Sequence, residues 1–201
     1  GEITCRRVEY DKALASCQLV RAATANNVQG VYYIATIFQC LEMIDEAVAL
    51  WREFIDGDFG DEAIPGPTEV YMQISELYER SGRSEESLNN VRKAIEITPN
   101  EADLHYFAGL LLNGMSKSKE AAAAFSQAIN LNPNDARFHF YRGFAYEKMG
   151  KYKKTVASME KALALNPLLA DALNYVGYLY AERNINLAKA EEYVLRALEI
   201  E

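Results

Sequence analysis

The sequence predicts an all-α protein built from repeated pairs of antiparallel helices. Several residue types recur at one constant spacing, the step that leads from Pro99 to Pro133 and from there to Pro167, and such a period is typical of a repeat protein. Within each period, apolar residues return every three or four positions, as the buried face of a helix requires. No long segment alternates apolar and polar residues, so no strands are expected.

The period appears in four independent series of residues. Prolines, alanines, glycines and large apolar residues each recur at the same step. The series are Pro99, Pro133 and Pro167; Ala94, Ala128 and Ala162; Gly109, Gly143 and Gly177; and Tyr78, Leu112, Tyr146 and Tyr180. Because small side chains let two helices approach closely, we expect the glycines to face the alanines and to have a structural role.

Residues 68–101 illustrate how one period divides into two helices. The first predicted helix spans Thr68–Arg80 and is followed by a turn that contains glycine. The second spans Glu85–Ile97, and Ser84 is placed to cap the free N–H groups of its first turn. Pro99 ends this helix, because proline lacks the N–H group that would continue the helical hydrogen bonds.

The pattern resembles the tetratricopeptide repeat, whose consensus places large residues, glycine, tyrosine, alanine and proline at fixed positions. In one period the matching residues are Gly109, Ala121, Phe125, Ala128 and Pro133. The resemblance implies a single domain over residues 1–201, a right-handed α-solenoid of antiparallel helix pairs that stack to bury their apolar faces. Its segments are a partial or degenerate repeat at 1–27, a degenerate repeat at 28–61, an insert at 62–67, and repeats at 68–101, 102–135, 136–169 and 170–201.

The resemblance also implies a binding surface. In this family the first helices of successive repeats line a concave groove that holds a peptide or another protein. The groove positions carry the candidate partner-binding residues Tyr32, Tyr106, Leu110, Arg137, Phe140, Phe144, Asn174 and Tyr178. Aromatic rings supply a large contact area at a small loss of side-chain entropy, which favours an anchoring role.

The groove rings have an alternative interpretation, which stays open. Some of them, above all Phe107, Tyr141 and Tyr175, are candidates for packing between adjacent repeats instead of facing a partner. The family's variant that grips a C-terminal carboxylate uses lysine and asparagine at groove positions. This chain has Tyr32, Met72, Tyr106, Phe140 and Asn174 there. We therefore expect an extended or helical apolar segment as the occupant rather than a free carboxylate.

Composition and motifs argue against catalysis, metal binding and nucleic-acid binding. The net charge of -8 repels a phosphate backbone. Cys5, Cys17 and Cys40 are odd in number and lack metal-ligand spacing, so we expect buried free thiols. His105 and His139 occupy equivalent repeat positions without a cluster of further ligands, and we expect packing roles for them. No catalytic or cofactor-binding motif is found, so we expect no cofactor.

The leading hypothesis is a non-enzymatic scaffold that binds a protein or peptide, and not nucleic acid, in an aromatic-lined concave groove. One alternative is a segment that positions a substrate within a larger enzyme or a secretion or assembly machine, which the start at Gly1 without methionine favours. Another is self-assembly into a homo-oligomer through an apolar solenoid end formed by Leu195, Leu198 and Ile200. No membrane-spanning run is present. The compartment stays open between the cytoplasm and a bacterial periplasm.

Overall fold

The structure is a computed structural model that describes residues 28–57 and 65–200, together with the single positions Lys12 and Ala15. These residues form ten α-helices and no strand, which confirms the predicted all-α class. The helices are α1 (Val28–Cys40), α2 (Ile44–Asp56), α3 (Pro67–Arg80), α4 (Ser84–Ile97), α5 (Ala102–Gly114), α6 (Ser118–Leu131), α7 (Ala136–Lys148), α8 (Tyr152–Leu165), α9 (Ala170–Glu182) and α10 (Leu187–Ile200). Apart from Lys12 and Ala15, the predicted partial repeat at 1–27, with Cys5 and Cys17, lies outside the described residues, as do positions 62–64 of the insert. Cys40, the last residue of α1, is a free thiol but is exposed, so the expectation of a buried thiol is wrong there.

The chain divides into two compact units, Gly1–Thr98 and Pro99–Glu201. In the first unit, α1 packs on α2, and α3 packs on α4. In the second, the pairs are α5 with α6, α7 with α8, and α9 with α10. Within each unit, the second helix of a pair also contacts the first helix of the next pair. Such stacking is the arrangement of an α-solenoid, whereas the assignment of residues 1–201 to a single domain remains a prediction.

The turn inside every helix pair has the same geometry. In each turn, the second residue after the first helix adopts the left-handed conformation, with φ between 53° and 74°; the last turn has a further such residue, Asn186, with φ of 49°. The next N–H then donates back to a carbonyl of the last helical turn, at 2.8–2.9 Å, as in a Schellman motif. The residues at this shared position are Glu42, Gly82, Ser116, Gly150 and Asn184. From Gly82 onward they follow one another at the constant repeat step, and the step from Glu42 to Gly82 is longer, as the insert at 62–67 requires.

The predicted cap at Ser84 is wrong. Helix α4 begins at Ser84 itself, and no side chain caps its first turn. The preceding residue, Arg83, instead uses its guanidinium to bind Asp45 at 2.6 Å and Glu86 at 3.0 Å. Asp135 does act as a cap, since its carboxylate accepts a hydrogen bond of 2.9 Å from the N–H of Arg137 at the start of α7.

Close contact within each helix pair of the second unit depends on glycine. A methyl group at Gly109 would lie 2.6 Å from the ring of Phe125, and one at Gly143 would lie 2.7 Å from Met159. At Gly177, Val194 would be 2.8 Å away. The expectation that these glycines face the alanines is therefore wrong, because large side chains of the second helix fill the space that the missing side chains leave.

The first unit solves the same packing problem with hydroxyl groups. Ser75 of α3 occupies the repeat position of Gly109, one repeat earlier. Its hydroxyl lies 2.8 Å from the hydroxyl of Ser87 on α4, and both residues are buried. Two small side chains that satisfy each other's polar atoms allow a close helix contact without leaving an unpaired buried group.

Each of the two histidines forms a hydrogen bond with the carbonyl of the proline near the end of the preceding repeat. His105 Nε2 lies 2.8 Å from the Pro99 carbonyl oxygen, and His139 Nε2 lies 2.9 Å from that of Pro133. Since a carbonyl can only accept, Nε2 carries the proton in both residues. Among the described residues, no group of three or more His, Cys, Asp or Glu side chains is arranged to hold a metal ion.

Adding a methyl group at Gly109 should destabilise the fold, whereas the same change at the end of that helix should not. Gly109→Ala overpacks the Phe125 contact and should lower the free energy of unfolding by about 1–3 kcal/mol. Gly114, the last residue of α5, has no atom within 4 Å of an added methyl group. Gly114→Ala should leave stability unchanged or raise it by up to about 1 kcal/mol. Urea denaturation followed by circular dichroism compares the two, and equal effects would contradict the packing role of Gly109.

His139 should make stability depend on pH. Burial lowers the pKa of His139 below its ordinary value of 6.5. Above that value, the His139 side chain is neutral in both the folded and the unfolded state, and stability does not depend on its titration. As the pH falls below about 6.5, the unfolded state gains a proton that the folded state resists, so stability drops by at most about 1.4 kcal/mol per pH unit.

The check is a series of denaturation curves between pH about 7.5 and about 5.5, a range that spans the ordinary histidine pKa. His139→Gln keeps an N–H donor but cannot titrate, so its stability should fall less than that of the unmodified chain. His105→Gln is the matched control at the equivalent, less buried position. Identical pH profiles for the unmodified chain and His139→Gln would contradict this account.

Candidate functional site

The predicted site residues of the second unit lie on its three first helices, α5, α7 and α9. Arg137, Asn174 and Tyr178 are exposed, with 59% of Tyr178 accessible. Leu110, Phe140 and Phe144 are partly buried. We call these six residues the first-helix face. Tyr32 lies separately on α1, in the first unit, where it is partly buried.

Tyr106 is a packing residue in the structure and only 7% of it is exposed. Its ring lies 5.2 Å from that of Phe138, 5.6 Å from Tyr141 and 6.0 Å from Phe125. Burial, with a smaller contribution from Tyr141, raises the pKa of Tyr106 to about 12. The next ring along α5, Phe107, is 42% exposed, although the sequence had suggested it as a packing ring.

Arg137 is held by two carboxylates and a ring. Its guanidinium lies 2.6 Å from Asp135 and 3.0 Å from Asp103, and it stands 5.1 Å above the centre of the Tyr106 ring. The hydrogen bonds to Asp135 raise the pKa of Arg137 and lower that of Asp135. The guanidinium therefore stays charged, and its contacts fix the orientation of the side chain between α5 and α7.

A cavity of about 380 Å³ opens on the first-helix face. It is lined by Phe140 of α7 and by Asp171, Asn174, Tyr175 and Tyr178 of α9. Phe140, Asn174 and Tyr178 are predicted site residues, whereas Asp171 was missed. The spacing between Asp171 and the other lining residues of α9 would have identified it, because positions separated by three, four and seven residues share one side of a helix.

Tyr175 forms the inner part of this cavity's wall. Its ring lies edge-on to Phe144 with a centroid distance of 6.1 Å. Burial, followed by the interaction with the Glu147 carboxylate, raises the pKa of Tyr175 to about 12. Lys148 stands 5.3 Å above the Phe144 ring and donates a hydrogen bond of 3.2 Å to the Asn113 carbonyl oxygen. These contacts tie the wall to α5 and α7.

The first unit has a cavity of its own, with a volume of about 320 Å³. Tyr32, the predicted site residue of this unit, lines it together with the side chains of Trp51, Gln39 and Gln73. The two glutamines share a hydrogen bond of 3.3 Å. The indole N–H of Trp51 is buried and makes no hydrogen bond to any described residue. Since less than 1 Å² of that nitrogen is accessible, it is not positioned to contact a ligand.

Sequence models of known families match three segments of the chain. Models described as tetratricopeptide repeat match residues 68–101 and 136–169, and a model described as TPR repeat matches residues 115–150. No curated protein matches the sequence significantly. None of the described helices is long and apolar enough to cross a membrane.

Solved structures of repeat proteins superpose on most of the chain. A crystal structure of MamA has a TM-score of 0.70 at 21% identity and covers 83% of this chain and 94% of its own. MamA from residue 41 onward, from Desulfovibrio magneticus RS-1, gives 0.71 at 19% identity, with 86% and 94% covered. YrrB, described as a TPR protein with an unusual peptide-binding site, gives 0.67 at 20% identity, with 92% of each chain covered. At this identity the likeness establishes the fold.

Proposed function

Because this chain belongs to the tetratricopeptide-repeat family, we propose that it is a non-enzymatic scaffold that binds a peptide or protein segment on its first-helix face. The observation that carries the proposal is the cavity of about 380 Å³, in which the rings of Phe140, Tyr175 and Tyr178 meet a partly open surface. The description of YrrB as a peptide-binding TPR protein gives it further support.

The first-helix face has the properties of an anchor surface. Phe140 and Phe144 are partly buried against the core of the second unit, so their rings are held in place before a partner arrives. Fully burying one such side chain contributes about 1.5–3 kcal/mol. Because little side-chain freedom is lost on binding, most of that contribution is available for affinity.

The same surface would serve a chain that positions a substrate for a larger enzyme or assembly machine. In both cases the first-helix face holds a segment of another protein, and any chemistry takes place elsewhere. The net charge of -8 supports a protein partner over a nucleic acid in either case.

Replacing Phe140 and Phe144 together by alanine should abolish most binding to the first-helix face. The probes are peptides selected from a random displayed library on the intact chain. The double variant should bind them at least about tenfold more weakly, because buried aromatic anchors each contribute about 1 kcal/mol or more. Fluorescence anisotropy with labelled peptides measures the affinities.

The matched control for this double variant removes two exposed leucines elsewhere. Leu168→Ala with Leu187→Ala takes similar apolar area from the turn before α9 and from the start of α10. It should leave peptide affinity unchanged. Circular dichroism verifies that both double variants are folded at the temperature of the binding assay. Peptides that bind the folded Phe140→Ala, Phe144→Ala variant as tightly as the unmodified chain would show that the first-helix face is not the docking surface.

A second candidate function is self-association through α10. Leu198 is 65% exposed, whereas Leu163, at the corresponding position of α8, is 7% exposed because α9 covers it. Leu195, one helical turn before Leu198, is also exposed. A second copy of the chain that covers this side of α10 would bury the same kind of apolar surface that α9 buries on α8.

Leu195→Gln with Leu198→Gln should convert any self-associated species to monomer, since it removes apolar area from α10. Sedimentation velocity over a wide concentration range reports the oligomeric state. Leu168→Gln, an equally exposed leucine in the turn before α9, should leave that state unchanged. An unmodified chain that remains monomeric at every concentration would eliminate this second candidate.

A further inference from the structure

The cavity on the first-helix face has walls of two chemical kinds. Phe140, Tyr175 and Tyr178 contribute aromatic rings, while Asp171 and Asn174 contribute oxygen atoms that accept hydrogen bonds. Asp171 is the one charged residue among the described lining residues. The volume of about 380 Å³ lies in the range of sites that enclose a small ligand or a side chain.

Asp171 forms no ion pair with any described residue. It lies in the first turn of α9, where the positive end of the helix dipole favours a carboxylate. The dipole accounts for an acidic residue at this position. The helix dipole does not explain why aromatic rings lie beside the carboxylate.

Further carboxylates strengthen the negative potential at the inner wall. Glu147 of α7 and Glu182 at the end of α9 both act on the Tyr175 hydroxyl through their negative charges. Both carboxylates add to the effect of burial in raising the pKa of Tyr175 to about 12. A second negative charge in the cavity would therefore be repelled, and a positive charge would be attracted.

The second unit contains an example of a guanidinium held by a carboxylate and a ring. Asp103 occupies the repeat position of Asp171, two repeats earlier. Arg137 binds Asp103 at 3.0 Å while standing 5.1 Å above the Tyr106 ring. Asp103 and Tyr106 thus supply a carboxylate and a tyrosine ring, the same two chemical groups that line the cavity at α9.

We propose that this cavity takes a basic side chain, a lysine or an arginine, from the segment bound on the first-helix face. The inference rests on the proposed function and names the partner's chemistry at that surface. The cation would pair with Asp171 and lie against the rings of Tyr175 and Tyr178. An aliphatic side chain there would desolvate Asp171 without giving it a partner.

The test uses synthetic versions of the library-selected peptides. Each peptide is made with its arginine and with citrulline, which has nearly the same shape and no charge; a lysine is compared with acetyl-lysine. On the unmodified chain, loss of the charge should weaken binding about tenfold, through one lost ion pair and its ring contacts. In Asp171→Asn, which keeps the size of the side chain, the same loss should weaken binding only about threefold, since the ring contacts remain.

Glu191→Gln is the matched control, because it removes an exposed carboxylate from α10, outside the cavity. In this variant the effect of citrulline should stay about tenfold, as on the unmodified chain. An effect that is equally large in Asp171→Asn would place the basic residue elsewhere and overturn the inference.

The outcomes separate this inference from the proposed function. Peptides that need Phe140 and Phe144 but lack a basic residue, or that tolerate citrulline, would overturn the inference and leave the proposed function standing. If no selected peptide depends on those two rings, the proposed function fails, and this inference fails with it.

Discussion

The closeness of the two helices in each pair is the constraint on which the other features of the second unit depend. Gly109, Gly143 and Gly177 allow Phe125, Met159 and Val194 to pack directly on the backbone of the first helix. This contact fixes the rotation of the first helix about its axis, because only the side that carries the glycine fits against the second helix. The direction of every other side chain on that helix then follows from the helical repeat.

Six of the eight predicted site residues stand at two fixed positions relative to these glycines. Tyr106, Phe140 and Asn174 precede a glycine by three residues, and Leu110, Phe144 and Tyr178 follow one directly. At about 100° per residue, these positions lie roughly 60° and 100° from the glycine direction. They border the packed side of the helix, which is why several of the rings are held by the core and still reach the surface.

Most of the fold was predictable, because the same local sequence pattern occurs in several repeats. The left-handed turn residues, the proline-terminated helices and the apolar spacing each recur in register. The burial of Tyr106 was not predictable, because it depends on Phe138 and Tyr141 of the next first helix, at 5.2 and 5.6 Å. Asp171 was not predicted, although it occupies the same repeat position as Arg137, one repeat later.

The aromatic rings also differ in whether a cation of the protein lies above their faces. Many tyrosines have a cation of the protein itself above the ring, as Arg83 lies 4.4 Å from the centre of the Tyr78 ring and Arg183 lies 4.2 Å from that of Tyr152. In the described part of the chain, Tyr175 and Tyr178 have no such cation. A cation gains more from a ring face when little water separates the two, and the partly buried ring of Tyr175 lines the cavity together with the Asp171 carboxylate.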